Sequence, residues 1–471
     1  MRNQLAILCL LLGACAAPRP STVAITGVTV IDVVDGSLRA GQAVLIAGNR
    51  ITAVGPTEEV QIPQDAEVVE AAGGYLIPGL WDMHVHAMYE GRPELFFPMF
   101  VANGVTGVRE MASTFSLEQI GRIRAQIARG GVLGPRFGAV AGKIFEGPVP
   151  ADRLGPEFMS IATPDEAREM VRTYRREGAD FIKVYDHLSR DVYFAIVDEA
   201  KRQRLPFVGH VPEVLAYGEA SDAGQRSMEH LWDTPVECFA SSVNELRNTL
   251  VEDGVPPSEI EERIAEYEAA DCELVLARYA RNETWQVPTL VLSARLRVNS
   301  AELLNDERLK YVPIATVEEW KAELSRHTQM PQAEARAFWR SALKLVGAMH
   351  GAGVPMLTGS DVGLGNPFTF AGFSLHDELA LLVEAGLPPI EALRAATVNP
   401  ARFLNMTDSL GSIDRGMVAD LVLLDANPLQ DIRNSQRIRA VVVRGRLYRR
   451  LDLDRLLAQV EALNQPLEVQ Q

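Results

Sequence analysis

The chain has 471 residues, 47% hydrophobic and 23% charged, which is more than one typical domain needs and leaves disorder to the ends. Its 62 acidic against 46 basic residues give a net charge of -16, and no Lys/Arg run offsets it, so phosphate backbones are repelled and nucleic acid is excluded as a partner.

In chain order, Arg2 precedes an apolar run from Leu5 to Leu12. This is the pattern of a short secretory signal, too short for a permanent membrane span. The run ends in Leu12-Gly13-Ala14-Cys15, which resembles the lipobox of bacterial lipoproteins, where the cysteine left by cleavage carries lipid. Ordinary cleavage near Ala14-Cys15-Ala16 is the alternative. Residues 1–14 are thus expected to be a signal peptide and 15–21 a tether. The protein is exported and held through Cys15 at a membrane, in the periplasm or on the outer surface, or else secreted. Beyond the signal, only Cys238 and Cys272 remain. An oxidising compartment permits a disulfide between them, which sequence alone does not establish.

From Thr22 to about Tyr75, short β runs (Val28–Ile31, Ala43–Ile46, Ile51–Val54) are broken by Asp35-Gly36 and Gly48-Asn49. Asp420–Leu424 and Ala440–Val443 repeat that character near the other end, the second followed by an Arg444-Gly445 turn. The two ends together predict a small β-sandwich domain from residues 22–76 and 406–450, with 451–471 as a C-terminal helix or tail.

The middle, residues 77–405, alternates strand-like and helical runs, which argues for parallel βα units. Phe181–Val184 reads as a strand, and Ser189 caps a helix with apolar Val192, Ile196 and Ala200. Eight candidate strands begin near Leu80, Val105, Arg136, Phe181, Phe207, Arg226, Trp285 and Val354. The fold class is therefore α/β, a (β/α)8 TIM-like barrel with its site at the carboxyl ends of the strands. A largely helical insertion from about 233 to 342 forms a lid over the pocket or pads the exterior.

The chemistry begins at Leu80-Trp81-Asp82-Met83-His84-Val85-His86. Residues two apart on a strand face the same way, so both imidazoles point inward and can share a metal. Lys183, His210, His230 and Asp361 interrupt or close other apolar strands. A buried charge is costly unless paired or bound to metal, and several such burials at one end of a barrel argue for a metal centre. Other polar residues near strand ends are candidate substrate contacts. Tyr185 lies just past strand four and can reach substrate or pack. His376 can contact substrate or cap its helix. Arg109 with Glu110 can hold a charged end of substrate or form an internal ion pair. His187 reads as solvated, and His327 and His350 as structural.

These motifs, with Thr358-Gly359-Ser360-Asp361, Ala395–Ala401 and Gly416–Val422, resemble the amidohydrolase superfamily, in its imidazolonepropionase-like and prolidase-like branch. The resemblance covers nearly all of the mature chain. It implies two divalent ions, zinc foremost, with manganese and cobalt as other users of such ligands, and carbon dioxide as a carbamate on a bridging Lys183. His84, His86 and Asp361 complete one metal site, and His210 with His230 the other. Ions about 3.5–4 Å apart make hydroxide available at ordinary pH, and Asp361 passes the proton to the leaving nitrogen. The bridging lysine favours amide or peptide hydrolysis, of a dipeptide or N-acyl amino acid, over deamination. A lactonase or phosphotriesterase on the same site, and an inactive surface-anchored binding protein, are the alternatives. Homo-oligomers are admitted by this reading.

Overall fold

The computed structural model describes residues 22–88, 92–150, 154–231, 255–256, 272–295, 300–326 and 332–464. The expected signal and tether with Cys15, together with Cys238, His327 and residues 232–254, lie outside the described residues, as does the question of a lid. Cys272 is buried and disulfide-bonded.

Alternating burial builds the first layer. Strands β1 (Thr22–Ile31), β2 (Leu38–Ala47) and β3 (Arg50–Pro56) form an antiparallel meander. β4 (Glu67–Glu70) and β5 (Tyr75–Pro78) both run parallel to β1.

The barrel follows. Its strands are β6 (Leu80–Val85), β7 (Val105–Glu110), β8 (Arg136–Val140) continued by β9 (Ile144–Glu146), β11 (Ile182–Val184), β12 (Phe207–Gly209), β13 (Ser227–Glu229) and β14 (Trp285–Val287). β10 (Phe158–Ser160) adds to the outside of β9. All neighbours within the barrel pair in parallel. The eighth position belongs to the segment 354–362, which bridges β14 through Met356 and β6 through Val362. Three backbone bonds, Met83 N to Thr358 O, Asp361 N to His84 O and His86 N to Val362 O, close the ring. The eight expected strand starts each fall on or within a few residues of one of these strands.

Helices cover the outside. Ser116 with Gln119 and Thr163 with Glu166 form capping boxes that start Leu117–Ala128 and Pro164–Glu177, each satisfying two otherwise orphaned N–H groups. Ser189 Oγ accepts from Val192 N and starts Arg190–Gln203, as expected. In the expected insertion, helix Ile314–Arg326 carries Trp320, whose indole donates to Leu364 O. That contact steadies the loop after the eighth strand, part of which rims the pocket described below.

The chain ends on β15 (Leu421–Leu424), β16 (Ile438–Val443), β17 (Arg446–Arg449) and helix Arg450–Asn464. Arg444 and Gly445 have φ of 50° and 77°, the two left-handed residues that a tight hairpin needs to match strand twist. β15 pairs with β5, so both ends of the chain share one eight-stranded sheet, ordered β17-β16-β15-β5-β1-β2-β3 with β4 on β1. Val23, Ile25 and Val44 share an apolar cluster with Leu421, Leu423 and Val442. Burial of that surface ties the two ends together.

Candidate active site

Two glycines let the strands approach closely enough to build the site. A Cβ on Gly359 would meet Val287 Cγ1 at 2.6 Å and His84 Cβ at 2.7 Å. One on Gly209, at φ 124°, would meet Val184 O at 2.2 Å. The first glycine brings Asp361 beside His84, and the second sets His210 beside Lys183.

His84, His86 and Asp361 each offer a ligand atom, all within 4.8 Å of one another. Asp361 Oδ1 is 3.1 Å from His84 Nε2 and 3.0 Å from His86 Nε2, and Oδ2 is 3.8 Å from His230 Nε2. Lys183 Nζ is 3.3 Å from His84 Nε2. Among the described residues no carboxylate oxygen lies within 4.0 Å of Nζ, so Lys183 forms no plain ion pair with Asp361 or Glu229. The His210 and His230 rings meet edge to face at 4.9 Å. All six expected ligand residues are thus gathered at one end of the barrel. Five of them line a cavity of about 150 Å³, and His84 lies fully buried against Asp361 and Lys183.

The outer edges of three imidazoles are already engaged. His84 Nδ1 donates to Glu229 Oε2 at 2.9 Å, and His210 Nδ1 to Asp186 Oδ1 at 2.7 Å. His230 Nδ1 is 2.6 Å from Thr289 Oγ1. A partner on Nδ1 fixes the tautomer that leaves the Nε2 lone pair for a metal. Backbone strain marks the same place. His230, Thr289 and Asp361 have φ of 66°, 45° and 53°, a region that β-branched and bulky residues rarely adopt and that costs roughly 1–3 kcal/mol each.

Electrostatics point the same way. Burial, helped by the Lys183 charge, pushes His86 down to about 4, and burial holds His230 well below its ordinary range. Neutral imidazoles are what a metal binds. Burial also lowers Lys183 against the pull of Asp361 and Glu229, toward the neutral amine that can react with carbon dioxide. For Asp361, burial opposes ionisation, but His84 and His230 outweigh it and the carboxyl stays well below its usual range. His210 Nε2 is buried without a hydrogen-bond partner, and Asp361 Oδ1 makes no well-directed hydrogen bond although His84 Nε2 and His86 Nε2 lie beside it. Buried polar atoms are rarely left so. The donor set is four imidazoles, an anion and a lysine, with lone pairs converging and unspent, and it fits divalent metal ions.

The expected substrate contacts divide. Tyr185 lines the cavity, stacked on His210 at 4.0 Å with the Phe158 ring against its edge. Arg109 does not reach it. Strand neighbours face opposite ways, so Arg109 and Glu110 never pair. Arg109 is buried and its Nη2 donates to both Glu229 Oε1 and Oε2 at 2.9 and 2.8 Å, and Glu110 accepts from Ala87 N and Met88 N. His376 is likewise sealed, held between Ser435 Oγ and Asn103 O at 2.9 Å each. His187 is half exposed and bound to Glu146.

Sequence reasoning missed Glu157 and Phe158. Both line the cavity, and Glu157 Oε2 is sealed from solvent without a partner. Glu157 closes the connection between β9 and β10 and Phe158 opens β10, a three-residue strand too short to carry a periodic signal. Asp186 could have been found, since it stands three residues after Lys183 in the same strand end.

The amidohydrolase family model matches residues 75–448. The chain belongs to the amidohydrolase family. It is 26% identical over 414 residues to imidazolonepropionase of Anaeromyxobacter sp. (strain K), covering 83% of this chain and 85% of that one. It is 25% identical over 295 residues to ochratoxinase of Aspergillus niger, covering 59% of this chain, and it spans about half (47%) of that relative's length. Among solved structures, bottromycin amidohydrolase superposes with a TM-score of 0.71 at 25% identity, covering 98% of this chain and 96% of that one.

Proposed function

We propose that this amidohydrolase family member is a binuclear metal-dependent hydrolase of carbon–nitrogen bonds, acting on a dipeptide or N-acyl amino acid. The observation that carries the reading is the convergence of His84, His86, Lys183, His210, His230 and Asp361 with buried, unspent lone pairs on His210 Nε2 and Asp361 Oδ1. His84, His86 and Asp361 would hold one ion and His210 with His230 the other, with a carbamate on Lys183 between them. Bound divalent ions supply Lewis acidity and bring water ionisation toward neutrality.

The chain's own residues do the rest. Asp361, kept ionised, accepts a proton from the attacking water and hands it to the departing nitrogen, which leaves poorly unless protonated. Glu229 and Asp186 keep His84 and His210 oriented. Apart from the proposed ligands, the cavity wall is Ile144, Phe158, Tyr185, Asn366, two glycines and Glu157. An aromatic wall beside one unpartnered carboxylate favours a substrate with a cationic or hydrogen-bond-donating group next to the scissile amide. The sandwich reading of the composite sheet and export with lipid on Cys15 belong to the same proposal. The shared apolar cluster supports the first and the Leu12–Cys15 motif the second.

Metal analysis after reconstitution with zinc and bicarbonate, followed by a panel of dipeptides, N-acyl amino acids and lactones, tests the function. About two metals per chain and amide turnover are expected. Lys183→Ala lowers occupancy and abolishes turnover. Lactone turnover without amide turnover would favour the lactonase, and less than about one metal per chain the inactive binding protein.

A further inference from the structure

At the opposite end of the barrel, the turns leading into β12, β13, β14 and the eighth strand enclose a cleft of about 970 Å³. That volume falls in the range of small-ligand sites, roughly 300–1,000 Å³. Its charged lining is Lys201, Arg204, Arg226, Arg394 and Arg402 against Glu283 and Glu391. Arg394 is spent: it pairs with Glu391 and donates to Val33 O and Val34 O. Among the described residues, the other four basic groups have no carboxylate within 4.0 Å.

This is unusual in a chain with 62 acidic residues and 46 basic ones, where carboxylates to neutralise a concavity are plentiful. Like charges gathered around one cleft repel, and the repulsion grows where solvent is thin. Arg226 is half-buried, and its guanidinium lies 4.6 Å over the Phe403 ring. One of its nitrogens donates to Phe403 O, and its other side-chain donors have no acceptor among the described residues. A planar fork held over an aromatic ring with donors to spare suits phosphate oxygens.

We infer that this cleft binds a phosphate-bearing small molecule on the face of the barrel opposite the proposed active pocket. A free phosphate compound and a phospholipid headgroup share that chemistry. Lys201, Arg204 and Arg402 supply mobile charge at the rim and Arg226 a fixed fork deeper in, so binding needs no change in the barrel itself.

The test is calorimetric titration of the full chain at low salt with inorganic pyrophosphate, alongside co-sedimentation with phosphatidylcholine vesicles containing phosphatidylglycerol. Pyrophosphate is expected to bind saturably at one site and to weaken as salt rises. Arg204→Gln and Arg402→Gln, both at exposed positions, should each weaken binding about tenfold while keeping the wild-type unfolding midpoint. Vesicle retention lost in the same two variants, without pyrophosphate binding, would assign the site to a headgroup. Binding left intact in both variants, or none in either arm, would overturn the inference. Hydrolysis plays no part in the readout, so the proposed activity and this site stand or fall separately.

Discussion

Two groups of buried polar side chains sit back to back in this barrel, and they differ in whether their hydrogen bonds are closed. In the deeper group, Arg109 donates to Met83 O, Ser227 Oγ and both oxygens of Glu229. Glu229 in turn accepts from Ser227 Oγ and His84 Nδ1. In the outer group, His210 Nε2 is buried with nothing to bond and Asp361 Oδ1 meets only the Nε2 atoms of His84 and His86, without a well-directed hydrogen bond, and His230 and Asp361 hold left-handed backbone angles. Closed networks stabilise a core, whereas open atoms on a strained backbone are kept for something absent from the chain. The rule separates structure from chemistry among polar residues that all lie largely buried in the barrel.

The strongest way to break it is Arg109→Met. If the deeper group is structural, removing the guanidinium strands the Glu229 carboxylate in the core and costs about 3–5 kcal/mol in a denaturant unfolding curve. A loss of turnover at unchanged stability would instead move Arg109 into the chemistry.

Arg109 also marks where the sequence stops being legible. The eight strands could be read because each is an apolar run between turn signals, and Lys183, His210, His230 and Asp361 stood out as polar breaks at their ends. Arg109 and His376 carry the same signal, a polar group at the edge of an apolar run, yet both are turned away from the cavity and fully bonded. Which face a side chain takes depends on strand tilt and on partners far along the chain. Glu229 is 120 residues from Arg109, and Ser435 is 59 from His376. No local pattern encodes such pairings. Thr289, which steadies His230, is equally silent in sequence, because its role depends on a φ of 45°.

Glu378 challenges the rule from the other side. Its Oε2 accepts from Val291 N at 2.8 Å, but Oε1 is buried without a partner, and it does not line the cavity. Burial pushes it from 4.5 up to about 8, so it is neutral at ordinary pH and its open oxygen carries no charge. The folded state therefore binds more protons than the unfolded state between these values, and stability falls as pH rises through that window. The loss by neutral pH is about 3 kcal/mol at most. Glu378→Gln, which mimics the neutral form, should flatten the unfolding midpoint across pH 4.5 to 8. An unchanged pH slope in the variant would mean that Glu378 is ionised in the fold and that an unpaired buried charge can exist here away from the metal ligands.

Asp186→Asn is the finest probe, because it touches the support of the outer group without touching the deeper one. Asp186 is bound to His210 Nδ1 and its side chain is 30% exposed, so its removal strands no charge in the core. The hydrogen bond from His210 holds its carboxyl below the usual range despite partial burial, which means that the anion polarises the imidazole at neutral pH. An amide in its place can accept the same bond without the charge, leaving the imidazole less polarised and less firmly oriented. Metal affinity should fall about 10- to 100-fold, measured by competition with a chelator, while the unfolding midpoint of metal-free protein moves by no more than about 0.5 kcal/mol. If stability fell and metal affinity held, His210 would belong with Arg109 in the closed group, and the proposed second metal would lose half of its imidazole ligands.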